Sequence, residues 1–208
     1  MAEVVIFHSV LGLRPGLIAA ADRLRAAGHT VYTPDLFDGE VFDDLESGMR
    51  KEEALGDREI SRRAEEAVAG LPERLVFAGF SMGIAHAEVL AATRPGALGV
   101  VLVHGAVPVS VLREYFGIER WPEGVPVQVH YAADDPWVEV EGEVAPLGED
   151  VRGAGAIFEE YAYPGSGHLF TDPDLAEYDP ASSEEVWERM LAFLDRIDAP
   201  GSGVAEAR

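Results

Sequence analysis

Short apolar runs alternate along the chain with stretches in which apolar positions recur every three or four residues. The runs are EVVIFHS (3–9), HTVYTP (29–34), RLVFAGF (74–80), LGVVLVHG (98–105), PVQVHYA (126–132) and AIFEEYAY (156–163). The central ones are nearly unbroken Val, Leu, Ile and Phe, as strands buried on both faces should be. Between the runs, Leu17, Ala21, Leu24 and Gly28 repeat at helical spacing, as do Ile60, Ala64, Ala67 and Leu71, and near the end Trp187, Met190, Leu191 and Leu194. Each set marks one apolar face of a helix. Alternating strand and helix with right-handed crossovers predicts an α/β protein built on a single, doubly wound, mostly parallel sheet of about six strands flanked by helices. Arg94, Pro95 and Gly96 are expected to close the helix that follows residue 81, and Ser182, Ser183 and Glu185 to cap the last one. Residues 35–56 and 105–124 read as long connections. One domain is expected over 1–198, with APGSGVAEAR (199–208) as a solvated, disordered tail.

Composition narrows this picture. With 208 residues, 48% of them hydrophobic, the chain can bury one sizeable core, and no break in composition divides it. The absence of cysteine excludes disulfides and thiolate chemistry. The opening MAEVVIFHSV lacks the basic and long apolar regions of a signal peptide, so a cytoplasmic location is expected. No apolar run approaches the ~20 residues that span a bilayer. A formal charge of -22 repels nucleic acid and acidic lipid, so neither is expected as a partner.

The candidate chemistry sits in FAGFSMGIAHAEVL (77–90), where Gly79-Phe80-Ser81-Met82-Gly83 matches G-x-S-x-G between a strand and a helix. A turn that tight excludes side chains two before and two after the serine and holds the serine itself in strained φ/ψ with its hydroxyl exposed. The helix behind it offers free amides, notably that of Met82, to a developing oxyanion. An ordinary glycine-rich turn is the plain alternative.

A nucleophilic serine needs a base, and the base an orienting carboxylate, which here would follow in the chain order Ser, Asp, His. YAADDPWV places Asp134 and Asp135 at a strand's C-terminal end, where open α/β sheets carry their sites. Pro136 biases Asp135 to an extended conformation, which favours it over Asp134. YPGSGHLFTD places His168 on a loop between the last strand and the final helix. His29, His86, His104 and His130 read as structural. His8 ends the first strand beside the HSVLGLRPG loop and is the other histidine with a claim to function. No metal-ligand spacing occurs, and neither a dinucleotide-binding nor a phosphate-binding glycine loop is present, so no metal and no cofactor are expected.

Together these segments resemble the dienelactone hydrolase family of small α/β-hydrolases, from VVIFHSVLGLRPG through TPDLFDG, AGFSMG and AADDPWV to YPGSGHLF. The resemblance implies an α/β-hydrolase fold opening at the third strand of the full sheet. It also implies Ser81 as nucleophile, Asp135 as orienting acid, His168 as base, and the amides of Met82 and Val10 as the oxyanion hole. Where the name-giving enzymes carry a cysteine nucleophile and a glutamate on the first-strand loop, this chain has Ser81 and Ser9. Where they carry a carboxylate-binding arginine just beyond the histidine, it has Asp172, which is expected to disfavour substrates bearing a carboxylate. Ser9, Tyr115, Phe116, Trp137, Phe170 and Asp172 are the candidates for lining the substrate pocket. The expected activity is serine hydrolysis of a small ester, lactone or thioester. A binding or sensory protein that retains the triad, and an acyltransferase, are the alternatives.

Overall fold

Among the described residues six strands pair in the order β2-β1-β3-β4-β5-β6, every pairing parallel. The computed structural model describes residues 1–198; the expected tail at 199–208 lies outside the described residues. In chain order the elements are β1 (Glu3–Phe7), α1 (Pro15–Ala26), β2 (Thr30–Tyr32), α2 (Leu45–Leu55), α3 (Asp57–Val68), β3 (Leu75–Phe80), α4 (Gly83–Thr93), β4 (Ala97–Val103) and α5 (Val109–Phe116). There follow β5 (Val127–Ala132), a π-helical turn (Val140–Val144), α6 (Ala145–Gly153), β6 (Phe158–Tyr163) and α7 (Pro180–Asp198).

Strand periodicity divides the core between the two faces of the sheet. Val5 and Phe7 of β1, with Phe77, Leu102 and Val129, pack under α3, α4, α5 and α6. Val4 and Ile6, with Val76, Ala78 and Val101, pack under α1 and α7, where Trp187, Met190, Phe193 and Leu194 close the second layer. The chain runs outward from β1 to β2, then returns to the other side of β1 for β3. Connections therefore diverge at the carboxyl ends of β1 and β3, opening the crevice in which ligands of such sheets bind.

The strands and the C-terminal stop of α4 fall where the pattern places them, with Arg94 extended and Gly96 at φ 83°. The long connections do not stay irregular. Residues 35–56 contain α2, whose cap is Asp44 accepting the Ser47 amide at 2.8 Å, and residues 105–124 contain α5. The cap of α7 is one turn earlier than expected. Asp179 accepts the Ser182 amide at 2.7 Å, Pro180 opens the helix, and Ser182 and Ser183 are buried in its first turn. Gly28 and Leu71 lie past the ends of α1 and α3. Among the described residues, no helix is long and apolar enough to cross a membrane.

Helix α4 crosses the core with most of its residues buried, and one of them is Glu88. Its Oε1 accepts the Val107 amide at 3.2 Å, while Oε2 finds no partner among the described residues. Burial raises the Glu88 pKa well above the ordinary carboxylate range. The folded protein therefore keeps a proton that the unfolded chain loses above pH ~4.3. From there upward, stability falls with pH by as much as ~1.4 kcal/mol per unit until the folded group also ionises. Glu88→Gln keeps the acceptor for Val107 and removes the titration. Urea unfolding of variant and wild type from about pH 5 to about pH 8 should show the difference in stability growing in the variant's favour. A difference that does not vary with pH would mean that Glu88 is not the titrating group.

Candidate active site

Ser81 follows β3 with φ 50°, one of three non-glycine residues with positive φ among the described residues. Its amide donates to Val103 O at 2.9 Å, and its carbonyl receives the Ile84 amide at 2.9 Å as α4 begins. A Cβ on Gly79 would stand 2.6 Å from the Gly83 carbonyl carbon, and one on Gly83 would stand 2.7 Å from the Phe7 carbonyl carbon. Both contacts are with backbone, which cannot give way, so glycine is required at both places.

The Ser81 hydroxyl lies 2.8 Å from His168 Nε2, and His168 Nδ1 lies 2.7 Å from Asp135 Oδ2. The other Asp135 oxygen accepts the Trp137 amide at 2.9 Å, and the Asp135 side chain is fully buried. A carboxylate only accepts, so Nδ1 carries the ring proton and Nε2 is left free to accept from the serine hydroxyl. Asp134, exposed, is held by its amide to Gly165 O and does not reach the histidine. Glu177 fixes the histidine loop, accepting the amides of His168 and Leu169, each at 3.0 Å. Sequence reasoning missed this residue. It is one of four carboxylates between residues 172 and 179, and nothing in the pattern distinguishes it.

These groups open on a cleft of about 230 Å³ lined by Val10, Leu45, Met49, Glu52, Ser81, Met82, Trp137 and His168. One wall is α2, which brings Leu45, Met49 and Glu52 at helical spacing. The loop after β1 brings Val10, and the start of α4 brings Met82. No acceptor among the described residues takes the amide of Val10 or of Met82. No group of three or more His, Asp or Glu side chains among the described residues converges as a metal site would.

The family model of the dienelactone hydrolase family matches residues 1–198. The chain belongs to the dienelactone hydrolase family. Among solved structures it is similar to a putative dienelactone hydrolase from Klebsiella pneumoniae, at 20% identity and TM-score 0.71, covering 94% of this chain and 87% of that one. It is similar to a dienelactone hydrolase-like promiscuous phosphotriesterase from metagenomic libraries, at 24% identity and TM-score 0.71, covering 95% and 87%. A thermophilic esterase of Thermogutta terrifontis, with propionate bound, aligns at 18% identity and TM-score 0.59, covering 96% and 85%. No curated protein matches the chain.

In this dienelactone hydrolase family member, several side chains expected in the pocket point elsewhere. Of that set only Trp137 lines the cleft, its ring centroid 6.1 Å from that of His168. Phe170 is buried in the second core layer, 5.0 Å from the His104 ring. Tyr115 is 70% exposed on α5, and the half-buried Phe116 beside it does not line the cleft. Ser9 turns inward, its Oγ accepting the Leu11 amide at 3.2 Å. Asp172 is also outside the cleft. Its Oδ2 accepts from Arg14 Nε at 2.6 Å, and its Oδ1 accepts the Asp174 amide. Its carboxylate therefore faces Arg14, which it shares with Asp43, and not the cleft.

His8 is wholly buried, with Nδ1 2.7 Å from Ser9 O and Nε2 accepting the Leu36 amide at 2.9 Å. It therefore ties the loop carrying Val10 to the segment after β2. His29 accepts the Ala2 amide, and His130 bonds Tyr163 and Gln128. His86 packs edge-on to Phe7, and His104 bonds Thr171 at 2.9 Å. None of these histidines lines the cleft.

Helix α2 reaches the cleft only because residue 48 is glycine. A Cβ there would stand 2.8 Å from the Val10 carbonyl carbon. Gly48→Ala gains about 1 kcal/mol of helix propensity, while overpacking costs ~1–3 kcal/mol. The variant should therefore be no more stable than wild type by urea unfolding, against the rule for helical glycines, and should lose activity as the Val10 loop shifts. A clear gain in stability with activity intact would show that α2 can retreat without moving Val10.

Proposed function

We propose that the protein is a serine hydrolase of a small ester, lactone or thioester, acting through an acyl-enzyme on Ser81. The observation that carries this reading is the unbroken hydrogen-bonded line from Ser81 through His168 to the buried Asp135, at the floor of a largely apolar cleft. As the Ser81 oxygen attacks the carbonyl carbon, its proton passes to His168 Nε2 and the carbonyl electrons move onto oxygen. The amides of Met82 and Val10, which have no acceptor among the described residues, would receive that oxyanion. Collapse expels the alcohol or thiol, which takes the proton from Nε2 and leaves the acyl group on Ser81. Water then attacks, giving its proton to Nε2, and the acid leaves as Ser81 recovers the proton. Asp135 holds the tautomer throughout and stabilises the imidazolium. No step calls for a cofactor. The esterase name of one structural neighbour, and the family itself, agree with an ester substrate.

A fluorophosphonate probe should label wild-type protein at Ser81, and Ser81→Ala should abolish labelling. The same substitution should lower kcat on p-nitrophenyl esters by about 10⁴–10⁶ while leaving the fold intact. Asp135→Asn should cost ~10² or more in kcat, and Asp134→Asn little. Retention of a tenth of the activity by Ser81→Ala would remove the serine from the mechanism. Equal small losses from both aspartates would remove Asp135.

A further inference from the structure

Glu52 is the one carboxylate among the residues that line the cleft; apart from Ser81 and His168, the other walls are apolar or indole. No hydrogen bond or ion pair among the described residues reaches its side chain. The nearby cations are already engaged, since Arg50 is bonded to Glu46 and Ser47, and Lys51 to Glu40. Arg58 does not line the cleft or the groove beside it. Burial pushes the Glu52 pKa up, and the neighbouring charge of Asp57 adds to the effect. A substrate that covers Glu52 must strip water from this group, and one with neither a positive charge nor a hydrogen-bond donor returns nothing for the loss.

Trp137 stands beside it. Its side chain is 55% exposed, and it lines both the cleft and the adjoining groove, where Glu46, Glu53 and Asp57 outnumber the one cation, Arg50, which is bonded to Glu46. Indole is the strongest of the aromatic faces toward a cation, and the ring is already held near His168. A half-buried carboxylate without a counter-ion, an open indole and an acidic approach together describe a site for positive charge.

Resting on the hydrolase reading, we infer that Glu52 and Trp137 form a cation subsite, and that the substrates are esters or thioesters bearing an ammonium or similar cationic group close to the scissile bond. Such a group would pair with Glu52 and lie against Trp137 while the carbonyl meets Ser81. A carboxylate in the same place would be repelled, by Glu52 rather than by Asp172.

The test uses two sets of matched esters at about pH 8. In one, the alcohol carries trimethylammonium (choline), its uncharged tert-butyl isostere, or a carboxylate. In the other, p-nitrophenyl esters carry the same three ends on the acyl chain. In at least one set, kcat/KM for the cationic member should exceed that for the tert-butyl member by roughly tenfold or more, with the carboxylate slowest. Glu52→Gln should bring the cation-to-neutral ratio to within about twofold, and Trp137→Leu should lower it partly. Glu73→Gln, an equal change of charge on an exposed residue before β3, should leave the ratio as in wild type. A ratio near one in both sets, or one that survives Glu52→Gln, overturns the subsite. The two readings fail separately. Protein that takes the fluorophosphonate and cleaves the neutral ester without preference has the hydrolase but not the subsite. If no ester is cleaved, calorimetric titration of wild type and Glu52→Gln with choline and with its tert-butyl isostere still decides. Tighter choline binding that is lost in the variant upholds the subsite, and equal binding overturns it.

Discussion

Between Gly79 and Gly83 the backbone comes closer to its neighbours than any side chain permits, and the arrangement around Ser81 follows from that approach. The end of β1 passes against the start of α4 at the Phe7 carbonyl, so the turn must rise directly from the sheet. Ser81 is thereby held at φ 50°, a conformation that costs ~1–3 kcal/mol for a residue with a side chain. That cost is tolerable because β3 is buried along its whole length and paired on both sides, by β1 and by β4. Each fully buried Val, Leu or Phe contributes ~1.5–3 kcal/mol, so relaxing the turn by pulling β3 out of register loses more than the strain releases. The result is a hydroxyl presented at the point where the connections from β1 and β3 diverge.

A nucleophile fixed this firmly is useful only if the loops around it are fixed too, and here buried polar groups do that. Arg14, nearly inaccessible, donates to Asp172 Oδ2 at 2.6 Å, to Phe42 O at 2.5 Å and to Asp43 at 2.9 Å. One guanidinium thus joins the loop after β1, the approach to α2 and the loop beyond His168. Its planar, forked donors suit three acceptors lying in different directions, which a lysine ammonium on a flexible stem would hold less rigidly. A buried pair of this kind is weak evidence for stability. Its effect is on geometry: Val10, Met49 and His168 come from three separate segments and face one cleft. Glu177 does the same locally, its two oxygens taking the amides on which the histidine loop would otherwise pivot.

The centre of the sheet was legible because strands buried on both faces write themselves as apolar runs, and the order of Ser81, Asp135 and His168 was legible because the first two follow such runs and the third follows the half-exposed last strand. Helix α2 was harder to see. Its sequence LESGMRKEEAL carries five charged residues in eleven, and only Gly48 is buried, so the apolar stripe that marks α1 or α3 is missing. The signals that remain are the Asp44 cap and the spacing of Leu45, Met49 and Glu52. Side-chain direction after His168 was not legible at all. The chain turns there, the Asp172 amide bonding Leu169 O, so Leu169, Phe170 and Asp172 go to three different environments. Proximity in sequence to a reactive histidine says little about which residues share its cleft.

Burial also settles the charge of the ring nearest to His168. His104 ends β4 at φ 75°, its ring centroid 5.8 Å from that of His168. Were it protonated, a second positive charge at that distance would oppose the imidazolium of the proposed reaction by roughly 3 kcal/mol at an effective dielectric of 20. That is about two factors of ten in rate. Desolvation among Phe80, Phe170 and Trp187 lowers the His104 pKa well below the usual histidine range, and the charge of His168 lowers it further. Its Nε2 is taken by Thr171 Oγ1, which can donate to the neutral ring. A neutral His104 leaves one imidazolium, not two, to be accommodated at this place in the proposed reaction. The aromatic layer beneath the site would thus bear on the proposed chemistry without lining the cleft, by desolvating the ring beside His168 and so disfavouring a second positive charge there.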